Sequence, residues 1–432
     1  LNHLLCPTIR FSLMDTSEGR VATQWNSLGS VQTLSNAEIE RYSRQLLLSN
    51  GFGVDGQRKL LGSSVCVIGA GGIGSTVILY LAACGVGHLT IVDFDEVDIS
   101  NLHRQVIHKT QNVQMNKAQS AAQAVYDLNP TIHCEPVNVP LTSENALEIV
   151  SRHQCVVDAS DNPKTRYLIN DACVLAGVPL VSGSAIGLEG QLTVYNYNGS
   201  PCYRCLYPQP DANEGSKSCS DHGVLGPVPG LIGVLQAVET MKVLTGIGEI
   251  MANHLLMYDA LRCSFLRIKK PPRQSKCLVC GDHPSIASMA DSDEASKAAR
   301  GPSCSIDEIH QGANGFEELP QITPDEYNIL RLQNEPHVLL DVRVPEQFAL
   351  CSLPGAVNIP LKELPDRVPE VEELSNETKA VYCICRRGKA SVSATLLLSE
   401  LLTQHPKIKA VFNIKGGLDA WRQKVDDSFP RY

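Results

Sequence analysis

From Leu60 to Gly87 the chain carries no Asp, Glu, Lys or Arg, and glycine stands at positions 62, 69, 71, 72, 74, 85 and 87. So long an uncharged run belongs in a membrane or a protein core. The glycines argue against a membrane helix and for a buried strand, a turn and a helix. Val65-Cys-Val-Ile68 reads as the strand, and Gly69-Ala-Gly71-Gly72-Ile-Gly74 spells G-x-G-x-x-G before an apolar helical stretch. Glycines let the backbone approach a phosphate, and the helix N-terminus supplies N–H donors and a positive dipole end. The alternative is tight strand–helix packing with no ligand.

Asp93 ends the next strand, where an acceptor for a ribose hydroxyl is expected. The glycine loop alone does not separate NAD from ATP. Ser100-Asn101-Leu102-His103-Arg104-Gln105, Lys117 and Asp161-Asn162 lean towards ATP. Cations with a carboxylate at strand ends suit a triphosphate and its Mg²⁺, whereas hydride transfer needs no such set. Taken singly, Arg104 or Lys117 reads as a solvated surface charge.

At about 150 residues per domain, 432 residues suggest two or three domains. Residues 1–35 read as a loose leader, with poor signal-peptide character because Pro7 and Arg10 break its apolar patch. A helix is expected from Ser35 or Asn36 as N-cap to Asn50. Strands at Val65–Ile68, Leu89–Val92, Cys155–Asp158, Leu180–Ser182 and Gln191–Tyr197 alternate with helical patterns, which predicts a mostly parallel, helix-covered α/β sheet over 36–281. Residues 282–319, poor in large apolar side chains, read as a linker. A second α/β unit, 320–432, follows, with strands at Val338–Asp341, Ala380–Cys385 and Ala410–Ile414.

Sixteen cysteines are too few for a disulfide scaffold. Without an export signal they are expected to stay reduced in the cytosol. Cys202-Tyr-Arg-Cys205 and Cys277-Leu-Val-Cys280 offer four thiolates as two short chelates, the donor set of a structural Zn²⁺. A redox C-x-x-C is the alternative. Cys385 ends a strand before Arg386-Arg387-Gly388-Lys389, a turn whose amides and cations suit a thiolate or persulfide. The alternative is a buried strand-end thiol. Cys383, two residues earlier, reads as core. Cys219, in Lys217-Ser-Cys219-Ser-Asp-His-Gly223, has small neighbours and a helical run after it, a weaker case for a nucleophile. The remaining cysteines (6, 66, 84, 134, 155, 173, 263, 304 and 351) read as small hydrophobes.

Arg41-Tyr-Ser-Arg44-Gln, the glycine loop, Ser100–Gln105, Ser160-Asp161-Asn162, both C-x-x-C pairs and Ser218-Cys219 resemble the ubiquitin-activating-type adenylyltransferases, with their Rossmann-like adenylation domain. Val338-Leu-Leu-Asp341-Val-Arg343, Leu353–Pro360, Cys385–Ser391 and Gly416-Gly417-Leu-Asp-Ala-Trp421 resemble a rhodanese domain. The fusion in that order is similar to the eukaryotic molybdopterin-synthase sulfurtransferase family. The resemblance implies that Gly72, Asp93, Ser100, Asn101, Leu102, His103, Arg104, Lys117, Asp161 and Asn162 hold ATP. It implies Asp161 as the Mg²⁺ ligand and Arg44 reaching a phosphate across a homodimer interface. Cys219 would be the activating-domain cysteine and Cys385 the persulfide cysteine. The implied partners are small ubiquitin-like sulfur carriers and a cysteine desulfurase, serving molybdenum cofactor synthesis and tRNA wobble-uridine thiolation. One departure is visible: the family loop reads Cys-Lys/Arg-x-Gly-Asn-Asp-Ser, and Lys389-Ala390 here replace Asn-Asp.

A net charge of −9, from 37 Lys+Arg and 46 Asp+Glu, speaks against general phosphate-backbone binding, so protein partners are expected, with no direct nucleic acid and no membrane. Three rivals compete with the adenylation reading. They are an NAD-dependent oxidoreductase with a zinc staple, a non-catalytic binding module, and an activator that hands a ubiquitin-like modifier to conjugation.

Overall fold

A computed structural model describes residues 33–49, 51–208, 223–298, 319–376, 379–401, 408 and 410–431. Cys219 therefore lies outside the described residues. The chain divides into two compact units, Leu1–Ser303 and Cys304–Tyr432.

The first unit is built on an eight-stranded sheet. Its strands are β1 (Ser64–Ile68), β2 (His88–Val92), β3 (His133–Val137), β4 (Cys155–Asp158), β5 (Leu180–Ile186), β6 (Glu189–Tyr195), β7 (His254–Asp259) and β8 (Ser264–Lys269), in the order β3-β2-β1-β4-β5-β6-β7-β8. The first five in that order pair in parallel and the last three joins are antiparallel. β1 is buried at every residue, which is why it is apolar on both faces rather than alternating. One face packs against the Gly72–Ala83, Lys117–Leu128 and Pro227–Thr245 helices, the other against Ala146–Ser151 and Pro163–Ala176.

The uncharged run forms the expected strand, turn and helix. Its glycines are sterically required: a Cβ on Gly74 would stand 2.0 Å from the Gly69 carbonyl oxygen, and Gly69 itself adopts φ +99°. Pro227–Thr245 is a helix long and apolar enough to cross a membrane, yet half of it is buried in this unit. A Cβ on its Gly233 would meet Ile73 O at 2.2 Å, so the two helices touch backbone to backbone. Ser35 is the N-cap of the Asn36–Leu46 helix, closing a capping box with Glu38.

Residues 282–298, read from composition as linker, are different in the structure. Ile286 and Met289 are buried, and Met289–Ala298 is a helix whose Ser292 hydroxyl donates to Asp171 Oδ2 at 2.6 Å. A few anchoring side chains outweigh the polar remainder. Cys263 also departs from its reading as a packed residue: it is exposed, with φ +48°, in the turn between β7 and β8.

The second unit has a parallel sheet of β9 (Gln321–Ile322), β10 (His337–Asp341), β11 (Ala356–Asn358), β12 (Ala380–Ile384) and β13 (Val411–Ile414), ordered β11-β10-β12-β13-β9. Along β12, Cys383 packs on one face with Cys385, and Tyr382 and Ile384 on the other. Burial pushes the Cys383 thiol up to about 12, in keeping with a core residue.

Candidate functional site

The glycine loop lies at the carboxyl ends of parallel strands, where open α/β sheets bind ligands. Asp93 follows β2 and fixes the loop: its Oδ2 accepts the Ala70 amide at 2.7 Å and its Oδ1 the Asp95 amide at 2.9 Å. Burial raises its pKa, opposed by Lys117 and these amides. His108 grips the loop from the other side. The Ala70 carbonyl can only accept, so His108 Nε2 carries the proton donated to it at 2.9 Å, and Nδ1 pairs with the Ser120 hydroxyl at 2.9 Å. Burial holds His108 neutral by lowering its pKa.

The segment after Asp93 folds into a turn on itself. Ser100 donates to Asp98, Arg104 Nη2 donates to Asn101 Oδ1 at 2.7 Å, and Arg104 Nη1 lies 2.7 Å from His103 Nε2. Leu102 is half-buried in that turn. Gly72 touches both it and the long helix, since an added Cβ would sit 3.4 Å from Arg104 Cγ and 3.2 Å from Pro229. Gln105 Oε1 is buried beside this loop without a hydrogen-bond partner, an acceptor in a place a ligand donor would fill. Lys117 is buried and pairs with Asp95 at 2.7 Å.

Asp161 is exposed just beyond β4. Asn162 serves its own helix, since its side chain accepts the Thr165 amide at 2.8 Å and caps Pro163–Ala176. Sequence reasoning missed the group beneath them. Asp158 is fully buried and receives the Ser160 amide and hydroxyl, the Ser182 hydroxyl at 2.9 Å and the Arg166 guanidinium at 3.2 Å. Gln236 from the long helix donates to Asp158 O and Val181 O. The network braces the loop that carries Asp161. Its only sequence signal was an acid ending a strand. Arg44 is exposed in the last turn of its helix.

The four cysteines of the C-x-x-C pairs converge, with all Sγ atoms within 4.8 Å of one another. The separations 202–205, 202–277 and 205–280 are 3.9, 3.6 and 3.4 Å. Thiolates about 2.3 Å from a tetrahedral metal would be about 3.8 Å apart, so the quartet fits one ion. Hydrogen bonds within the quartet, from Cys202 first, pull Cys205 down to about 6. The Tyr203–Leu206 helical turn, which follows Cys202 and contains Cys205, is clamped by a buried ion pair that sequence patterning does not reveal. Arg204 reaches Asp171 with Nε at 2.8 and 3.0 Å and Nη2 at 2.7 Å.

In the second unit Cys385 is 4% exposed, and its Sγ accepts the Ser391 amide at 3.3 Å with the Ser391 hydroxyl also at 3.3 Å. Gly388 (φ +82°) turns the chain within the loop, whose Arg386 is half-buried and whose Arg387 and Lys389 are exposed. Asp341, opposite Ile384 in the β10–β12 register, forms a buried pair with Arg343, whose Nη2 also donates to Cys351 O at 2.7 Å. The Ser391 amide and hydroxyl can stabilise a sulfur anion at Cys385.

Comparison with known proteins agrees with this division. The ThiF family matches residues 42–279 and the Rhodanese-like domain residues 324–424. "Adenylyltransferase and sulfurtransferase MOCS3" of Aedes aegypti is 43% identical, covering 93% of this chain and 91% of its own. Its namesake in Arabidopsis thaliana is 44% identical, covering 92% and 86%, and that of Danio rerio 41%, covering 93% and 88%. A crystal structure of E. coli MccB with MccA-N7isoASN superposes with a TM-score of 0.51 at 22% identity, over 59% of this chain and 76% of that one, a likeness of fold alone. The chain belongs to the MOCS3 family of adenylyltransferase–sulfurtransferases, a ThiF-family domain followed by a rhodanese-like domain.

Proposed function

We propose that the chain adenylates the C-terminal glycine of a small ubiquitin-like sulfur carrier with ATP and then replaces the activated oxygen with sulfur carried on Cys385. The carrying observation is the presence on one chain of a glycine loop held by Asp93 at the carboxyl ends of parallel strands and of a buried thiol, Cys385, that accepts the Ser391 amide. The relatives' shared name, adenylyltransferase and sulfurtransferase, supports the same pair of activities.

In the first step a carrier carboxylate oxygen attacks the α-phosphorus and pyrophosphate leaves. The loop amides at Gly72 and the Ser100–Arg104 turn hold the phosphates, Asp93 the ribose, and Arg104, Lys117 and the partner subunit's Arg44 offset the charge. Mg²⁺ on Asp161 supplies further charge neutralisation when bound. Asn162 orients that loop by capping its helix. In the second step Cys385, charged as a persulfide by a desulfurase, attacks the acyl carbon with its terminal sulfur and AMP leaves. The Cys219 thiolate then attacks the Cys385 sulfur of the acyl disulfide, releasing the thiocarboxylate and leaving a Cys219–Cys385 disulfide for a thiol reductant to reopen. Cys202, Cys205, Cys277 and Cys280 would hold a Zn²⁺ in a structural role, since four thiolates would fill its coordination. The enzyme works as a cytosolic homodimer, and its thiocarboxylated carriers serve molybdenum cofactor synthesis and tRNA wobble-uridine 2-thiolation.

Carrier-dependent ATP–pyrophosphate exchange tests the first half: Asp161→Ala is expected to abolish it and Cys385→Ala to leave it intact. Exchange that survives Asp161→Ala refutes the metal-ligand assignment.

A further inference from the structure

Outside the assigned residues, the Asp419 carboxylate stands against the Cys385 loop. The turn Gly416–Gly417 docks on that loop through two backbone bonds, Leu418 N to Cys385 O and Asp419 N to Arg386 O, both 2.9 Å. The contact is close enough that a Cβ on Gly417 would fall 2.2 Å from Cys385 O. Asp419 is thus held in place by its backbone, and its two carboxylate oxygens face different arginines: Oδ1 lies 4.0 Å from Arg386 Nε and Oδ2 4.0 Å from Arg387 Nε. Two partly exposed pairs at that distance contribute little to stability. Their effect is on charge and aim beside the thiol. The loop from Arg386 to Ala390 carries three cations, Arg386, Arg387 and Lys389, and no acid of its own.

We propose that Asp419 is a positioning residue for sulfur transfer, which restrains Arg386 and Arg387 and sets the net charge at the Cys385 loop, limiting how tightly anionic sulfane donors are held. The proposal rests on the reading of Cys385 as the persulfide cysteine. With thiosulfate as donor, the Cys385 thiolate attacks the sulfane sulfur, and the S–S bond to the sulfonyl sulfur breaks with its electron pair leaving on sulfite. Cyanide then takes the terminal sulfur as thiocyanate and the thiolate returns. Both the donor and the first product are anions, so an uncompensated loop favours binding and slows sulfite release.

The experiment is steady-state thiosulfate:cyanide sulfur transfer by the full chain at several salt concentrations, with Asp419→Asn, Asp419→Glu and Cys385→Ala. Asp419→Asn is expected to lower the KM for thiosulfate about three- to tenfold at low salt and to steepen its salt dependence, with kcat unchanged or reduced. Asp419→Glu should restore wild-type values, which a merely structural role would not predict. As a second measurement, the rate ratio of Cys385 alkylation by iodoacetate over iodoacetamide should rise in Asp419→Asn. An unchanged KM, salt dependence and alkylation ratio, with Cys385→Ala inactive, overturns the role of Asp419 alone. Full transfer by Cys385→Ala instead overturns the reading of Cys385 on which it rests.

Discussion

His153 shows how one side chain sets a pH limit. It is 5% exposed and both its ring nitrogens are buried without hydrogen-bond partners. Burial, then His88 and Arg152, holds its pKa down to about 3. An unfolded imidazole titrates at about 6.5, so the unfolded chain binds this proton more readily. The contribution to stability is complete above about pH 6.5 and is lost as pH falls towards 3. Amide hydrogen exchange in β4 should accelerate as pH falls from neutral through about 6.5, beyond its intrinsic pH dependence, and His153→Phe should flatten that change. An equal slope in the variant contradicts the account. The Arg204–Asp171 pair makes a second case at this scale. Breaking a buried pair strands the other charge and costs about 3–5 kcal/mol. Asp171→Ala should therefore lower the unfolding midpoint of the first unit markedly, measured by calorimetry, with the second unit's transition unmoved.

At the scale of elements, legibility followed the span of the interactions. The strand, glycine loop and helix at Val65–Ala83 could be read because every constraint lies within that stretch, down to Gly74 against Gly69. Each C-x-x-C pair is likewise a local chelate. By contrast Asp171 and Arg204 are 33 positions apart, Asp158 and Gln236 are 78 apart, and Asp419 meets a loop from another strand end. Only the order of the strands makes these neighbours, and periodicity carries no trace of that order. The edge strand β8 escaped notice because it is exposed at every residue and alternates nothing. The helix Met289–Ala298 was hidden by its small and acidic composition. Two predictions belong here. Gly74→Ala drives a Cβ into Gly69 O and should abolish ATP–pyrophosphate exchange while thiosulfate sulfur transfer continues. Loss of both activities would contradict the independence of the two elements. Cys277→Ser should release one equivalent of zinc, read by a chromogenic chelator, and lower the first unit's melting temperature. Retention of full zinc would refute the four-thiolate site.

The whole molecule joins an adenylating fold to a sulfur-carrying one, and neither half explains the other's chemistry. Sixteen cysteines, puzzling as a count, divide by environment. Four converge on a metal-sized centre, Cys385 accepts the Ser391 amide, and Cys66, Cys155 and Cys173 are sealed in the core with raised pKa values. Adenylation and sulfur transfer, carried by the one chain, would meet at one carrier carboxylate. Intact-mass spectrometry of the carrier, incubated with ATP, Mg²⁺, a sulfane-sulfur donor and the enzyme, tests this most directly. The wild type should convert the carrier to the species with one oxygen replaced by sulfur. Cys385→Ala should leave it unsulfurated while still consuming ATP in exchange. Sulfur incorporation at the wild-type rate by Cys385→Ala, or in the absence of ATP, would contradict the account.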